Sequence, residues 1–200
     1  MVDALNLDSL MTKVKHRYAH NEQRVVGIML ARYDIKPTQE LIEQSYQYWH
    51  INSKKYFDIF WAGYGEYLCP SDQSFTKQIL KFPNNKNRVY FDLEAFIEIK
   101  DEFSDCYGIQ YEDKIQLILV NYRNGELHFN ESIKIDLEES LDLHYAQIRR
   151  IMEFITKECK YEHEVAPIAI KMKDDHIWHF IKGITFSDVI SKAISIPGII

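Results

Sequence analysis

The sequence predicts an α/β domain whose central strands run parallel, and three observations carry that prediction. Two continuous apolar runs of strand length, "RVVGIMLARY" and "YFDIFWAGYGEYL", flank a segment that opens with Pro37-Thr38 and closes with lysines, the expected polarity of a helix. Strand, helix and strand within about forty residues is the βαβ pattern, and runs without alternation suit strands buried on both faces. Further on, two β-rich stretches surround Arg123-Asn124-Gly125-Glu126, and Asn-Gly is the strongest short hairpin signal.

The elements follow in order. Leu7 to Asn21 reads as a helix, with Leu7, Leu10, Met11 and Val14 at helical spacing and Asp8 or Asn6 as its cap. Arg24 to Tyr33 is the first central strand, Pro37 to Lys55 the helix after it, and Tyr56 to Ala62 the second strand. The stretch "CPSDQSFTKQILKFPNNKNR" holds turn formers around a short helical piece. Then comes an ambiguous segment. With Asp92 as cap, Leu93, Phe96, Ile97, Lys100 and Phe103 line one side of a helix; as a strand, Val89, Phe91, Leu93, Ala95, Ile97 and Ile99 alternate. Length and the cap favour the helix. After the hairpin, Asp136 and Glu139 have capping-box spacing before a long amphipathic helix with Leu141, Tyr145, Ile148, Ile151, Met152 and Ile155 as its buried stripe. The tail reads as an alternating strand through Ile168, Ile170 and Met172, a turn at Asp174-Asp175 and a last helix near Ser187 to Ile194.

From Arg24 to about Lys160 this β-α-β-α-β-β-α order resembles the thioredoxin-like fold, with a Rossmann-like or TIR-like sheet as the alternative. The resemblance is one of topology. The family's redox chemistry requires C-x-x-C after the first strand, where this chain reads "ARYDIKP", and no proline precedes "KIQLILV". Oxidoreductase activity is therefore not implied. Residues 1–164 are expected to form the core domain, with 165–200 an extension packed on that core or placed in an interface.

Composition narrows the function classes. The 200 residues suffice for one core without disulfides or metals, and 46% hydrophobic with 27% charged residues is ordinary for a globular protein. A net charge of −6 argues against a phosphate-backbone binder, although Lys13, Lys15, His16, Arg17, His20 and Arg24 make one segment locally basic. No run of about 18 apolar residues exists to span a membrane, and the N-terminus has no secretory apolar stretch. Cys69, Cys106 and Cys159 form no pairing or zinc pattern. A cytoplasmic protein with reduced thiols and no cofactor is the expectation.

Candidate sites are few. Gly63-Tyr64-Gly65-Glu66 leaves the carboxyl end of the second strand, where open α/β sheets bind ligands, and is expected to leave Tyr64 or Glu66 accessible. A plain turn is the competing reading, and no third glycine completes a dinucleotide fingerprint. Asp58, in an apolar strand, must be paired or near an exposed strand start. Glu98-Ile99-Lys100 looks like the E-x-K half of the PD-(D/E)xK nuclease pattern, which requires a strand there and a further acid such as Asp58 or Glu66. His16 and His20, four apart on the first helix, could share a metal only with a further ligand. Trp178, Phe180 and Phe186 in the tail offer apolar material for a partner. The expected function is thus a non-enzymatic module that binds a protein partner or forms a homo-oligomer. A metal-dependent nuclease or nucleotide-processing enzyme working at Gly63 to Glu66 is the alternative.

Overall fold

The computed structural model describes residues 2–52, 56–66, 77–80, 89–137, 141–177 and 183–194. The strands are β1 (Val2–Ala4), β2 (Arg24–Leu30), β3 (Ile59–Ala62), β4 (Tyr64–Glu66), β5 (Lys77–Ile79), β6 (Val89–Asp92), β7 (Gln116–Arg123), β8 (Glu126–Asp136) and β9 (Gly183–Phe186). The helices are α1 (Leu7–Arg17), α2 (Lys36–Asn52), α3 (Leu93–Tyr107), α4 (Leu141–Glu158), α5 (Val165–Asp174) and α6 (Asp188–Ile194). The strands form one sheet in the order β5-β6-β4-β1-β3-β2-β7-β8-β9. Only β1, β3 and β2 are mutually parallel; every other pairing is antiparallel. The chain is therefore mixed α/β, and no helix among the described residues is long and apolar enough to cross a membrane.

Local chemistry accounts for the element ends. Asn6 caps α1: its Oδ1 accepts from Ser9 N at 2.9 Å while Ser9 Oγ accepts from Asn6 N at 3.0 Å. Asp92 ends β6 and caps α3, accepting from Glu94 N and Ala95 N. That settles the ambiguous segment as a helix beginning at Leu93. At the β7–β8 turn, Asn124 (φ 53°) and Gly125 (φ 81°) both adopt the left-handed region, as a two-residue hairpin turn requires.

Several expectations need correction. The tail stretch 165–174 is the helix α5, because Val165, Ile168, Ala169 and Met172 bury one face at helical spacing. Alternation of Ile168, Ile170 and Met172 was a by-product of that period. Lys77–Ile79 is an edge strand rather than part of a short helical piece. Asp136 belongs to β8, where it accepts a buried hydrogen bond from Gln116 Nε2 at 2.7 Å, and Glu139 lies outside the described residues. The first helix stops at Arg17, with Tyr18 already extended.

The described residues beyond 164 pack into the same core. α5 packs on β7, β8 and α4, β9 pairs with β8, and α6 packs on β8 and α5. Val165, Ile168, Ala169, Met172 and Ile190 are buried there. Asn121 links the two parts: its Oδ1 accepts from Val165 N at 2.8 Å, which satisfies an orphan donor at the α5 N-terminus. Asn121 occupies a register shift in the hairpin, where Val120 pairs with Ser132 but Asn121 pairs with His128. Residues 129–131 bulge out of β8 as a result.

Candidate functional site

At the carboxyl end of β3 the chain crosses over the end of β1. Ala4 pairs with Ala62 on one side and Tyr64 on the other, and Gly63 N donates to Ala4 O at 2.9 Å. Gly63 has φ +77°, and a Cβ there would lie 2.6 Å from Phe96 Cβ. Only glycine fits both the conformation and the approach of α3. Gly65 sits beneath the Tyr90 ring, 2.6 Å from where its Cβ would be. The two glycines thus serve packing. The expected ligand loop is a turn followed by the strand β4, and Tyr64 is fully buried while Glu66 is exposed.

Tyr64 donates to Ala31 O at 2.8 Å, and burial pushes its hydroxyl well above the ordinary tyrosine range. Rings fill the surrounding space from Trp61 through Tyr64, Phe91 and Phe96 to Tyr111, with neighbouring centroids 5.1–5.7 Å apart. The position where a parallel sheet usually admits ligands is occupied by core.

Asp58 lies at the opposite edge, just before β3, and is paired. Arg17 grips it bidentately, Nε to Oδ2 at 2.7 Å and Nη2 to Oδ1 at 2.6 Å. Tyr18 donates to Oδ2 at 2.6 Å, and the Arg24 guanidinium lies 4.4 Å from the centre of the Tyr18 ring. Burial first, and Asp58 second, raise the Tyr18 hydroxyl above its ordinary range; the hydrogen bond to Asp58 raises Arg17. Charge-assisted bonds of this kind tie the end of α1 to the start of β3. Two residues of the basic N-terminal segment, Arg17 and Arg24, are used here.

The remaining sequence candidates are scattered. Glu98 and Lys100 lie on α3, two positions apart and so on different sides of the helix, whereas E-x-K chemistry needs the same-face geometry of a strand. Glu98 faces solvent and Lys100 pairs with Asp101 at 2.9 Å. His16 is in the last turn of α1 but His20 is beyond its end, so the i, i+4 geometry is not formed. Among the described residues no group of three His, Cys, Asp or Glu side chains could hold a metal. Trp178 and Phe180 lie outside the described residues.

Phe186 stands where apolar side chains meet an opening among the described residues. A cleft of about 660 Å³ runs between the end of α3, the β8 bulge and the β9–α6 junction. The bulge throws Phe129 against Tyr107, with ring centroids 4.0 Å apart and planes 25° from parallel. Phe186 and Val189 form the opposite wall, and Val189 and Tyr107 are 43% and 38% exposed. On the floor, buried Lys134 donates to Gln110 O at 2.9 Å and Glu112 Oε1 at 2.8 Å, which holds the Glu112 carboxyl below its usual range. The Ser187 hydroxyl, also lining the cleft, is buried with no hydrogen-bond partner among the described residues. A buried hydroxyl left unpaired costs about 1–3 kcal/mol.

The outer face of α3, on the other side of the helix from Tyr107, is acidic. Glu94, Glu98, Asp101, Glu102 and Asp105 recur at helical spacing, all exposed, with Ile97 among them at 43% exposure. The helix has a single lysine, Lys100, and no basic residue in its last turn. Glu94–Glu98, Glu98–Glu102 and Asp101–Asp105 are like-charge neighbours at i, i+4, each costing about 0.2–0.5 kcal/mol. Asp105, in the last turn, also opposes the negative end of the helix dipole, whereas Glu94, in the first turn, complements its positive end.

The sequence pointed to Phe186 but not to Tyr107, Phe129, Lys134, Ser187 or Val189. One signal was available: the polar run Asn130-Glu131-Ser132 interrupts an otherwise β-rich stretch and marks the bulge. Comparison of the chain with protein-family models, with curated proteins and with solved structures finds no match in any of the three.

Proposed function

We propose that this chain is a non-enzymatic interaction module, acting in the cytoplasm, that takes a large apolar side chain of a protein partner into the cleft between α3, the β8 bulge and α6. The cleft is the observation that carries this reading. It surrounds an opening with exposed apolar side chains, Tyr107 and Val189, and interfaces are built around apolar and aromatic anchors of this kind. The order β3-β2-β7-β8, with β2 and β3 parallel and β7 and β8 antiparallel, supports a thioredoxin-like scaffold beneath it. An enzyme acting on a nucleotide or phosphodiester through Asp58, Glu66, Glu98 and Lys100 is the weaker reading. Asp58 is committed to Arg17 and Tyr18, while Glu98 and Lys100 diverge on a helix.

The test is selection of random peptides of about 12 residues, displayed on phage, against the full chain and its Val189→Asp variant. The side chain of Val189 is half in solvent, so the variant should fold. Peptides bearing a large apolar residue should be recovered and should bind the variant about tenfold or more weakly, as expected for a charge placed in a hot-spot pocket. Equal binding to both proteins, or no recovery at all, contradicts the reading. A second copy of the chain as occupant would show as a concentration-dependent dimer lost in the same variant.

A further inference from the structure

The polar groups lining the cleft divide into donors already used and acceptors still open. Among the described residues its charged groups are Lys134, Glu112 and Asp188. The Lys134 ammonium donates to Gln110 O and Glu112 Oε1. The Gln110 amide donates to Ser104 Oγ at 2.8 Å, and the Ser132 hydroxyl to Phe129 O at 2.6 Å. Glu112, by contrast, keeps capacity to accept. Its side chain is 49% exposed, and its Oε2 lies 3.7 Å from Lys114 Nζ, too far for a hydrogen bond. Asp188, at the start of α6, is exposed as well. Thr185 and Asn130 can act either way.

The apolar wall is aromatic. Phe103 backs the Tyr107–Phe129 stack, with its ring centroid 6.2 Å from Tyr107 and 5.4 Å from Phe129. Phe129 covers one face of Tyr107, so the exposure of Tyr107 belongs to its edge and its other face, where a further ring extends the cluster. We infer that the partner side chain taken by the cleft is a tryptophan, its indole ring packed on Tyr107 and its N–H donating to the Glu112 carboxylate. This rests on the cleft reading above. Indole joins a large aromatic surface to a single donor and no acceptor, which matches an aromatic wall whose open charged groups only accept. A lysine or arginine also donates, but Lys134 and Lys114 already stand beside Glu112 and repel a third cation. Phenylalanine and aliphatic side chains fill the space and leave the hydrogen bond unmade.

The experiment uses the peptides selected on the full chain. Tryptophan should be their shared anchor. The best binder is then resynthesised with 3-benzothienylalanine in place of that tryptophan, which keeps the bicyclic shape and replaces N–H by sulfur. Both peptides are titrated against wild type, Val189→Asp and Glu112→Gln, after circular dichroism confirms that each variant keeps its fold. On wild type the sulfur analogue should bind about tenfold more weakly, the loss of one hydrogen bond to a charged acceptor. On Glu112→Gln, whose acceptor is neutral and so about half as strong, that factor should shrink to about threefold. A merely structural role for Glu112 would weaken both peptides alike and leave the factor at ten, which overturns the inference. Peptides anchored by other side chains, cationic ones included, or an analogue that binds as tightly as tryptophan, also overturn it. Those outcomes leave the cleft reading intact if Val189→Asp still weakens binding. No recovery, or binding indifferent to Val189→Asp, overturns the cleft reading and this inference with it.

Discussion

Asp58 and the outer face of α3 both present carboxylates, and the molecule treats them in opposite ways. At Asp58 every charge has a partner: two guanidinium contacts, one phenol and a second arginine nearby share one buried carboxylate. Along α3 five exposed acids are set beside one another with a single lysine among them. One arrangement lowers the energy of the folded chain and the other raises it. The difference teaches how to separate structure from recognition in a chain without a catalytic motif. Satisfied charge holds the fold, and the clustered acids of α3 contribute nothing comparable to it.

The largest effect should come from breaking the satisfied side. Asp58→Ala leaves Arg17, Tyr18 and Arg24 facing a vacancy, and should cost about 3 kcal/mol in chemical denaturation, somewhat less than a fully enclosed pair because Arg17 is partly exposed. An effect below about 1 kcal/mol would mean the network is ornamental.

Next are the glycines that sequence alone could not assign. Gly63→Ala must adopt φ +77° and meets the Cβ and backbone of Phe96, so about 2–3 kcal/mol should be lost. Gly65→Ala meets only the Tyr90 ring, which can swing away, and should cost about half as much. Equal costs would contradict the packing account of the G-x-G pair.

A smaller, pH-dependent effect should appear where α4 meets α5. The hydrogen bond from Lys171, at 2.9 Å, holds the buried Glu158 carboxyl below its usual range. A depressed carboxylate stabilises the fold above its unfolded pKa of about 4.5 and ceases to do so as pH falls below it. Stability should therefore be flat from neutral pH down to about 5 and then fall, and Glu158→Gln should shallow that acid limb by about 1 kcal/mol. An unchanged limb would assign acid sensitivity elsewhere.

How much of this was legible follows from range. Elements set by local pattern were readable: the Asn6 and Asp92 caps, the Asn124-Gly125 turn and the apolar runs of β2 and β3 all declare themselves within a few residues. β1 and β4 did not, because three-residue strands have no period and exist only through the crossover at Gly63. α5 was misread since Ile168, Ile170 and Met172 satisfy a two-residue period by chance, and burial by β7 and β8 decides otherwise. The cleft was illegible for the same reason. Its walls come from α3, the β8 bulge and the β9–α6 junction, which sequence separates by dozens of positions and only the sheet order brings together. The acidic stripe of α3 could be seen once the helix was chosen.

The most direct test of the account places both regions in a single urea series, comparing Asp58→Asn with the α3 variant Glu98→Gln/Asp101→Asn/Glu102→Gln/Asp105→Asn against wild type at low salt. Both remove carboxylate charge and little volume. The account predicts midpoints that move in opposite directions: Asp58→Asn lower, and the α3 variant higher by about 1 kcal/mol as like-charge repulsion and dipole opposition are relieved. A lower midpoint for both would show that the acids of α3 support the fold, and would contradict the contrast between the two regions.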